Sequence, residues 1–352
     1  MIRKARASTR GQEASQASGD RMATRGTVVV EEFRSAVLEG NPLRDPAIRE
    51  IPVYLPPAYE RDRDRRFAVI YWLHGFGGIG LSAISRALWV PNLPELMDRV
   101  ITGGAPEAIL VMPDGATRYG GSQYINSPAT GQYEDYVTKE LVSYMDRTYR
   151  TKADAGHRGV VGKSSGGYGA LVLAMRHPDV FRAVASHSGD MYFEAGYKPF
   201  FWKALATINK HGSLREFLQA FEAMPKKSRD AVDALMLLVA MAQAYSANPD
   251  GTYELPVDLH TGEMRDAVWT RWLAWDPVYM VERYAAALRQ MKLIYIECGA
   301  KDEWNLQFGA RVLHQRLQVL GIPHEHQEFD DDHSQINYRY VESLRRLATV
   351  LA

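Results

Sequence analysis

The chain has 352 residues, 46% of them apolar, and is therefore long enough to bury a large core. Its 42 basic and 42 acidic side chains give a net charge of zero, which excludes a global basic field that would attract nucleic acid. The one cysteine, Cys298, rules out an internal disulfide framework and fits a reducing compartment. No apolar run reaches 18 residues, so no membrane span is predicted.

Residues 1–25 are rich in Arg, Ser, Gln, Ala and Gly, and we expect them to form a disordered leader. The segment lacks the apolar stretch of a secretory signal, which predicts a cytoplasmic protein. Its Arg- and Ser-rich composition has some transit-peptide character. An unstructured leader, or a true start at Met22, is the favoured interpretation. Residues 26–352 are predicted to form one domain.

Strand-like runs dominate the first part of that domain, at Thr27–Phe33, Arg49–Leu55, Phe67–Leu73 and Ala108–Met112. Pro52 predicts an edge position for the second run, because proline cannot donate to a strand ladder. The third run is apolar throughout, as expected of a strand buried on both faces.

A glycine-rich loop, residues 74–78 (HGFGG), follows the third strand. A loop of this kind can turn a backbone N–H toward a substrate oxygen, and we predict Phe76, or else Gly77, as that donor. His74 is predicted to shape the loop by hydrogen bonding, because a better candidate for a base occurs later in the chain.

The loop 116–133 is rich in glycine, serine and tyrosine, and follows the fourth strand. It should lie at the edge of the sheet where open α/β folds bind ligands. Tyr124, together with Asn126, is therefore predicted either to line a substrate site or to stabilise the loop. An amphipathic helix is predicted at Glu134–Tyr149.

Residues 157–175 have the pattern of a strand, a G-x-S-x-G turn and a helix, with Ser164 at the centre of the turn. This is the context of a nucleophile elbow, in which the flanking glycines allow a turn too tight for side chains. The following helix begins with free N–H groups, and the N–H of Ser165 is predicted to stabilise an oxyanion.

The remaining elements alternate around a long insertion, residues 192–290. Strands are predicted at Phe181–His187, Met291–Cys298 and His324–Phe329, and helices at Phe200–Asn209, Leu214–Met224, Ala231–Tyr245, Val268–Leu288 (broken near Pro277), Leu306–Leu320 and Tyr340–Leu351. His187 and Asp190 are expected near the ligand edge. The Met-rich segment Ala234–Ala242 is predicted to be a packed cap helix or a lid that lines a pocket.

Asp302 and His333 also follow predicted strands, so the sheet can bring them to Ser164. The order serine, acid, histidine predicts a catalytic triad, with Glu303 as a less favoured acid. Neither a cofactor nor a metal is predicted, because His324 and His326 have no third ligand at metal-site spacing.

The chain resembles the putative-esterase (esterase D-like) family of α/β-hydrolases, which includes feruloyl esterases, S-formylglutathione hydrolases, enterochelin-esterase-like proteins and mycolyltransferases. The matching stretches are VYLPPAYE, VIYWLHGFGG, VMPDG, YINSPATGQYEDYVTKEL, GKSSGGYGALVLAMRHPDVF, SHSGD, CGAKDEWNLQFGARVLHQRL and FDDDHS. The resemblance implies an α/β-hydrolase fold, with a mostly parallel central sheet flanked by helices, to which the helical pattern of the insertion adds a cap or lid. It implies Ser164, Asp302 and His333 as the triad, with the amides of Phe76 and Ser165 as the oxyanion hole. Residues 192–275 carry no such resemblance.

These features predict a serine carboxylesterase that hydrolyses a small-molecule ester through an acyl-enzyme. The alternatives are an acyltransferase that passes the acyl group to a sugar or alcohol, a non-catalytic binding module, and a serine peptidase. Trp304, with Phe76 and Tyr124, would suit an aromatic acyl group. Nothing in the sequence indicates an oligomeric state.

Overall fold

A sheet of eight strands forms the centre of the fold in a computed structural model that describes residues 25–352. The predicted leader therefore lies outside the described residues, except for Arg25. The strands, numbered in chain order, are β1 (Thr27–Arg34), β2 (Ile48–Leu55), β3 (Ala68–Leu73), β4 (Ala108–Val111), β5 (Arg158–Lys163), β6 (Ala183–His187), β7 (Leu293–Gly299) and β8 (Glu325–Phe329). A separate short ladder pairs Asn126–Ser127 with Gly131–Gln132.

The strand order across the sheet is β1-β2-β4-β3-β5-β6-β7-β8. β2 is antiparallel to both of its neighbours, whereas every other adjacent pair is parallel. The carboxyl ends of β3 to β8 consequently meet at one edge, and the loops that follow these strands can converge there.

Helices cover both faces of the sheet. The longer ones are α1 (Leu93–Thr102), α2 (133–148), α3 (Ser165–Arg176), α4 (Phe201–Asn209), α5 (Leu214–Ala223), α6 (229–245), α7 (Asp266–Leu273), α8 (Pro277–Arg283), α9 (Leu306–Val319) and α10 (Tyr340–Leu351). Shorter helical turns occur at Ala58–Arg61, Gly80–Ile84, Ala155–His157, Phe193–Gly196, Lys198–Phe200, Ala285–Leu288 and Ile336–Arg339. Helices α4 to α8 lie between β6 and β7 and form the insertion. This architecture confirms the predicted α/β class.

β3 shows how the sheet separates two cores. All six of its residues are buried, and alternate side chains pack into different apolar clusters on the two faces. One cluster is closed by α1 and α10, and the other by α2, α3 and the insertion. The prediction of a strand buried on both faces is therefore confirmed.

The edge position predicted from Pro52 is wrong, since β2 lies between β1 and β4. The proline is tolerated because it stands at the end of a short ladder, next to the pair Val53 and Val111. Only its carbonyl is needed there, and this oxygen accepts a hydrogen bond from Met112 N–H at 3.0 Å.

Candidate active site

The turn between β5 and α3 holds Ser164 in a backbone conformation with φ 57° and ψ −128°. A Cβ on Gly162 would lie 2.3 Å from the carbonyl oxygen of Gly166, and one on Gly166 would lie 2.0 Å from that of Leu73. Both positions therefore require glycine. The predicted strand, tight turn and helix are all present, and they raise Ser164 above the edge of the sheet.

The structure brings Ser164, Asp302 and His333 together. His333 Nε2 lies 3.0 Å from Ser164 Oγ, and His333 Nδ1 lies 2.8 Å from Asp302 Oδ2. Glu303, the other candidate acid, accepts a hydrogen bond from the backbone N–H of His333 at 3.0 Å and makes no hydrogen bond to the imidazole ring. The geometry therefore favours Asp302 as the partner of the ring.

The Asp302 carboxylate is buried, and burial by itself would raise its pKa. Hydrogen bonds from His333 and from the N–H of Trp304, the latter at 2.9 Å, outweigh burial and hold the pKa of Asp302 below its ordinary value. The side chain is thus kept as an anion that can fix the tautomer of the imidazole.

The glycine-rich loop after β3 runs beside Ser164, since a Cβ on Gly75 would lie 3.4 Å from Ser164 Cβ. The N–H of Gly77 donates to Gly120 O at 3.0 Å and is unavailable to a substrate. Among the hydrogen bonds of residues 25–352, none uses the N–H of Phe76, so of the two predicted donors Phe76 is the one with an available N–H. Ser165 is the first residue of α3, where N–H groups have no partner within the helix.

His74 has the structural role that the sequence indicated. Its Nε2 accepts from Gly115 N–H at 3.0 Å, and its Nδ1 lies 2.9 Å from Gly75 O. The imidazole thus joins the loop after β3 to the loop after β4.

Tyr124 does not line a substrate site, which resolves the two roles left open for it. The ring is buried, and its hydroxyl donates to His74 O at 2.8 Å, so it supports the glycine-rich loop from below. Asn126 donates to Asp135 Oδ1 at 2.9 Å and so joins its loop to the start of α2. Trp304, by contrast, borders the cavity above Ser164.

That cavity has a volume of about 330 Å³ and includes Phe76, Ser164 and His333 in its wall. α6 of the insertion contributes Val232 and Met236 to its lining. The rest of α6 from residue 237 to 245 is buried in the core. The helix therefore acts both as a packed cap and as part of the pocket wall.

Trp304 also borders a second cavity of about 190 Å³, together with Phe200, Ala204 and Leu237. Phe200 and Trp304 meet edge to face, with their ring centroids 5.0 Å apart. The two cavities share Arg229, Asp233, Glu303 and Trp304, so the insertion borders the space near Ser164 with charged as well as apolar side chains.

Among the polar side chains of the cavity above Ser164 that were not predicted as site residues, Asp190 and Lys163 lie next to the elbow. Asp190 was placed only near the ligand edge, yet its Oδ1 lies 3.5 Å from Ser164 Oγ. Lys163 precedes Ser164 and lines the cavity, where burial lowers the pKa of its amine. Lys163 ends a parallel strand and Asp190 closely follows one, and these positions in the sequence could have indicated that both lie at the site.

A second Ser-His-acid arrangement lies beneath the first. His187 Nδ1 is 2.7 Å from Glu297 Oε1, and His187 Nε2 is 2.8 Å from Ser343 Oγ. All three side chains are essentially inaccessible, so no substrate can reach them. His187 O instead accepts from Ser164 N–H at 3.0 Å, and this network supports the elbow.

The histidines weighed as metal ligands pair with one another. His324 Nε2 lies 2.8 Å from His314 Nδ1, and the rings of His314 and His326 stack with centroids 4.7 Å apart. Within residues 25–352, no group of three or more His, Cys, Asp or Glu side chains has the arrangement of a metal site. In the same part of the chain, no helix is long and apolar enough to cross a membrane.

The fold agrees with what the chain is similar to. The family model described as "Putative esterase" matches residues 47–345, and the chain belongs to that family. This family membership places the domain in the esterase class.

Esterase Rv1288 of Mycobacterium tuberculosis is 31% identical over 144 residues, which make up 40% of this chain and 28% of that protein. The chain thus spans less than a third of this relative. A ferulic acid esterase structure superposes with a TM-score of 0.62 at 20% identity, covering 93% of this chain and 99% of the other. An S-formylglutathione hydrolase from Agrobacterium tumefaciens gives a TM-score of 0.58 at 16% identity, with 93% and 96% covered. These two structures confirm the α/β-hydrolase fold.

Proposed function

We propose that this domain is a serine carboxylesterase that hydrolyses a small-molecule ester through an acyl-enzyme on Ser164. The observation that carries the proposal is the continuous hydrogen-bond chain from Ser164 Oγ through the His333 imidazole to Asp302, at the wall of an accessible cavity. A nucleophile, a base and a group that orients the base are what covalent ester hydrolysis requires.

In the first half-reaction, Ser164 Oγ attacks the ester carbonyl carbon while its proton passes to His333 Nε2. Asp302 keeps the other ring N–H oriented and stabilises the imidazolium. The carbonyl oxygen becomes an oxyanion that the N–H groups of Phe76 and Ser165 stabilise, each contributing roughly 2.7–4 kcal/mol. Collapse of the intermediate breaks the C–O bond to the alcohol, which leaves with the proton from His333.

In the second half-reaction, His333 takes a proton from water, and the resulting hydroxide attacks the acyl carbon. The bond from that carbon to Ser164 Oγ then breaks, the acid is released, and Ser164 regains its proton from His333. Atoms and charges balance over the cycle, and neither a metal nor a redox cofactor takes part.

The test is hydrolysis of p-nitrophenyl esters from acetate to octanoate by the wild type and by Ser164→Ala. We expect kcat to fall by roughly a thousandfold or more, because the variant has no atom that can carry the acyl group. Ser143→Ala is the matched control, since Ser143 is an exposed serine on α2. Equal rates for the wild type and Ser164→Ala would contradict the proposal.

The same assay separates hydrolysis from acyl transfer. Added alcohols and sugars should leave the yield of free acid unchanged if water is the acceptor. A fluorophosphonate probe should label the wild type but not Ser164→Ala, which would also exclude a binding module without a reactive serine.

A further inference from the structure

The two oxygens of the Asp190 carboxylate have unequal surroundings. Oδ2 accepts hydrogen bonds from Tyr197 OH at 2.8 Å, Ser165 Oγ at 3.0 Å and Gln123 Nε2 at 3.3 Å. These three donors fix the carboxylate in one orientation. Because the carboxylate is planar and Oδ2 is held by these donors, the position of Oδ1 is fixed as well.

Oδ1 has only one contact of this kind among the described residues, with Ser164 Oγ at 3.5 Å. The Ser164 hydroxyl has a single proton, and His333 Nε2 lies closer to it, at 3.0 Å. When the serine donates to the histidine, Oδ1 faces only a lone pair of Oγ. The oxygen then has no donor among the described side chains, and because Asp190 lines the cavity, a group bound there can donate to it.

Strained backbone holds this arrangement in place. Gln123 and Tyr124 have φ values of 54° and 55°, and Ser188 and Tyr192, on the loop that carries Asp190, have values of 40° and 55°. Left-handed conformations at such residues are energetically costly and persist where the surrounding structure enforces them. Two strained loops therefore meet at the contact between Gln123 and Asp190.

Burial is the largest influence on the Asp190 carboxyl and raises its pKa, although hydrogen bonds from Tyr197, Ser165 and Gln123 oppose the change. In the free protein, the hydrogen bonds to the carboxylate therefore offset only part of the cost of burying its charge. A donor group on a ligand would supply the missing compensation.

The position of Oδ1 indicates which part of the substrate it would meet. In an acyl-enzyme the carbonyl carbon is bonded to Ser164 Oγ, so the carboxylate 3.5 Å from Oγ lies beside the acyl group at its first carbon atoms. An ionised carboxylate only accepts hydrogen bonds. This oxygen would disfavour a negatively charged group beside it and attract a hydroxyl or ammonium next to the carbonyl.

We propose that Asp190 forms a subsite for a hydrogen-bond donor on the carbon next to the ester carbonyl, so that the domain prefers 2-hydroxy or 2-amino acyl esters. This inference depends on the proposed role of Ser164 as the acyl carrier. In the competing interpretation, Asp190 only braces Ser165 and Tyr197 and does not discriminate between substrates.

The test compares methyl 2-hydroxypropanoate and methyl 2-aminopropanoate with methyl propanoate, for the wild type and Asp190→Asn. The measured quantity is the ratio of kcat/KM between each substituted ester and the plain ester. Comparing this ratio between variants cancels the intrinsic reactivity of the esters. We expect Asp190→Asn to lower it about tenfold or more, because a hydrogen bond to a charged acceptor is lost.

Tyr197→Phe is the matched control, because it removes a donor from Oδ2 and leaves Oδ1 in place. It should preserve the ratio even if overall activity falls. Asp190→Ser, whose side chain is too short to reach the acyl group, should reproduce the loss of preference. Thermal denaturation shows whether each variant is folded.

An equal fall in kcat/KM for all three esters in Asp190→Asn and Asp190→Ser would overturn the subsite and leave the esterase proposal intact. Failure of the wild type to hydrolyse any ester, with no labelling of Ser164, would instead overturn the proposed function and the subsite with it. A ratio that falls in the Asp190 variants alone supports the subsite.

Discussion

Asp302 and Glu303 are neighbours that contact different atoms of His333, one the ring and the other the backbone N–H. We predict that Asp302→Asn lowers kcat by about ten-thousandfold, because an amide at this position favours the wrong tautomer of the imidazole. Glu303→Gln should stay within about tenfold of the wild type, since an amide oxygen can still accept from the backbone. Steady-state kinetics on p-nitrophenyl acetate measures both. A larger loss of kcat in Glu303→Gln than in Asp302→Asn would contradict the assignment of Asp302 as the acid of the triad.

The sequence predicted the members of the hydrogen-bond chain because each of them directly follows a strand of a parallel sheet. Asp190 has the same signal, but its importance depends on which oxygen faces Ser164, and this orientation comes from partners in three other parts of the chain. Tyr124 could not be assigned either, because its direction is set by a left-handed loop whose shape no local pattern encodes.

At the scale of elements, helix α1 was not predicted, although the sequence contains a helix-start signal at Asn92. Asn92 accepts from Glu95 N–H at 3.0 Å, while the Glu95 carboxylate accepts from Asn92 N–H at 3.0 Å, which is a capping box. The helix that it starts closes one face of the sheet. The break near Pro277 was predictable, because Pro277 begins α8 after the cap residue Asp276.

The insertion helix α6 forms part of the cavity over Ser164, because Met236 lies in the cavity wall. We predict that Met236→Trp lowers kcat/KM for octanoate esters by about tenfold while acetate esters change little, since a larger ring shortens the space for the chain. Lys226→Trp, at an exposed position of the insertion, is the matched control. The ester series measures the effect, and a uniform loss across all chain lengths would place the acyl chain elsewhere.

At the scale of the whole molecule, Glu297 connects elements that are far apart in sequence. It accepts hydrogen bonds from His187 on β6, from Tyr295 on its own strand β7 and from Arg339 before α10, with Arg339 Nη2 at 2.6 Å. Arg339 also reaches Gln327 on β8 at 3.2 Å. This buried network joins the last three strands to the closing helix directly below the elbow. It could not be predicted from a local sequence pattern, because its members are widely separated along the chain.

The charge of Glu297 should make the stability of the fold depend on pH. Burial would raise its pKa, but hydrogen bonds and charge from His187 and Arg339 lower it from 4.5 to about 2. A carboxyl whose pKa is lower in the folded state stabilises the protein above its unfolded pKa and loses that contribution as the pH falls through its folded pKa. The stabilisation, about 3 kcal/mol, should therefore be complete above pH 4.5 and decline toward pH 2.

We predict that Glu297→Gln lowers the free energy of unfolding by about 3–5 kcal/mol at pH 7, because it leaves Arg339 without its buried partner. The difference from the wild type should shrink as the pH falls from 4.5 toward 2, since protonation removes the same charge from the wild type. Urea denaturation at pH 7 and pH 3 measures both values. Glu263→Gln, an exposed glutamate in the insertion, is the control and should change neither. A difference independent of pH would mean that the network stabilises through packing and not through the carboxylate charge.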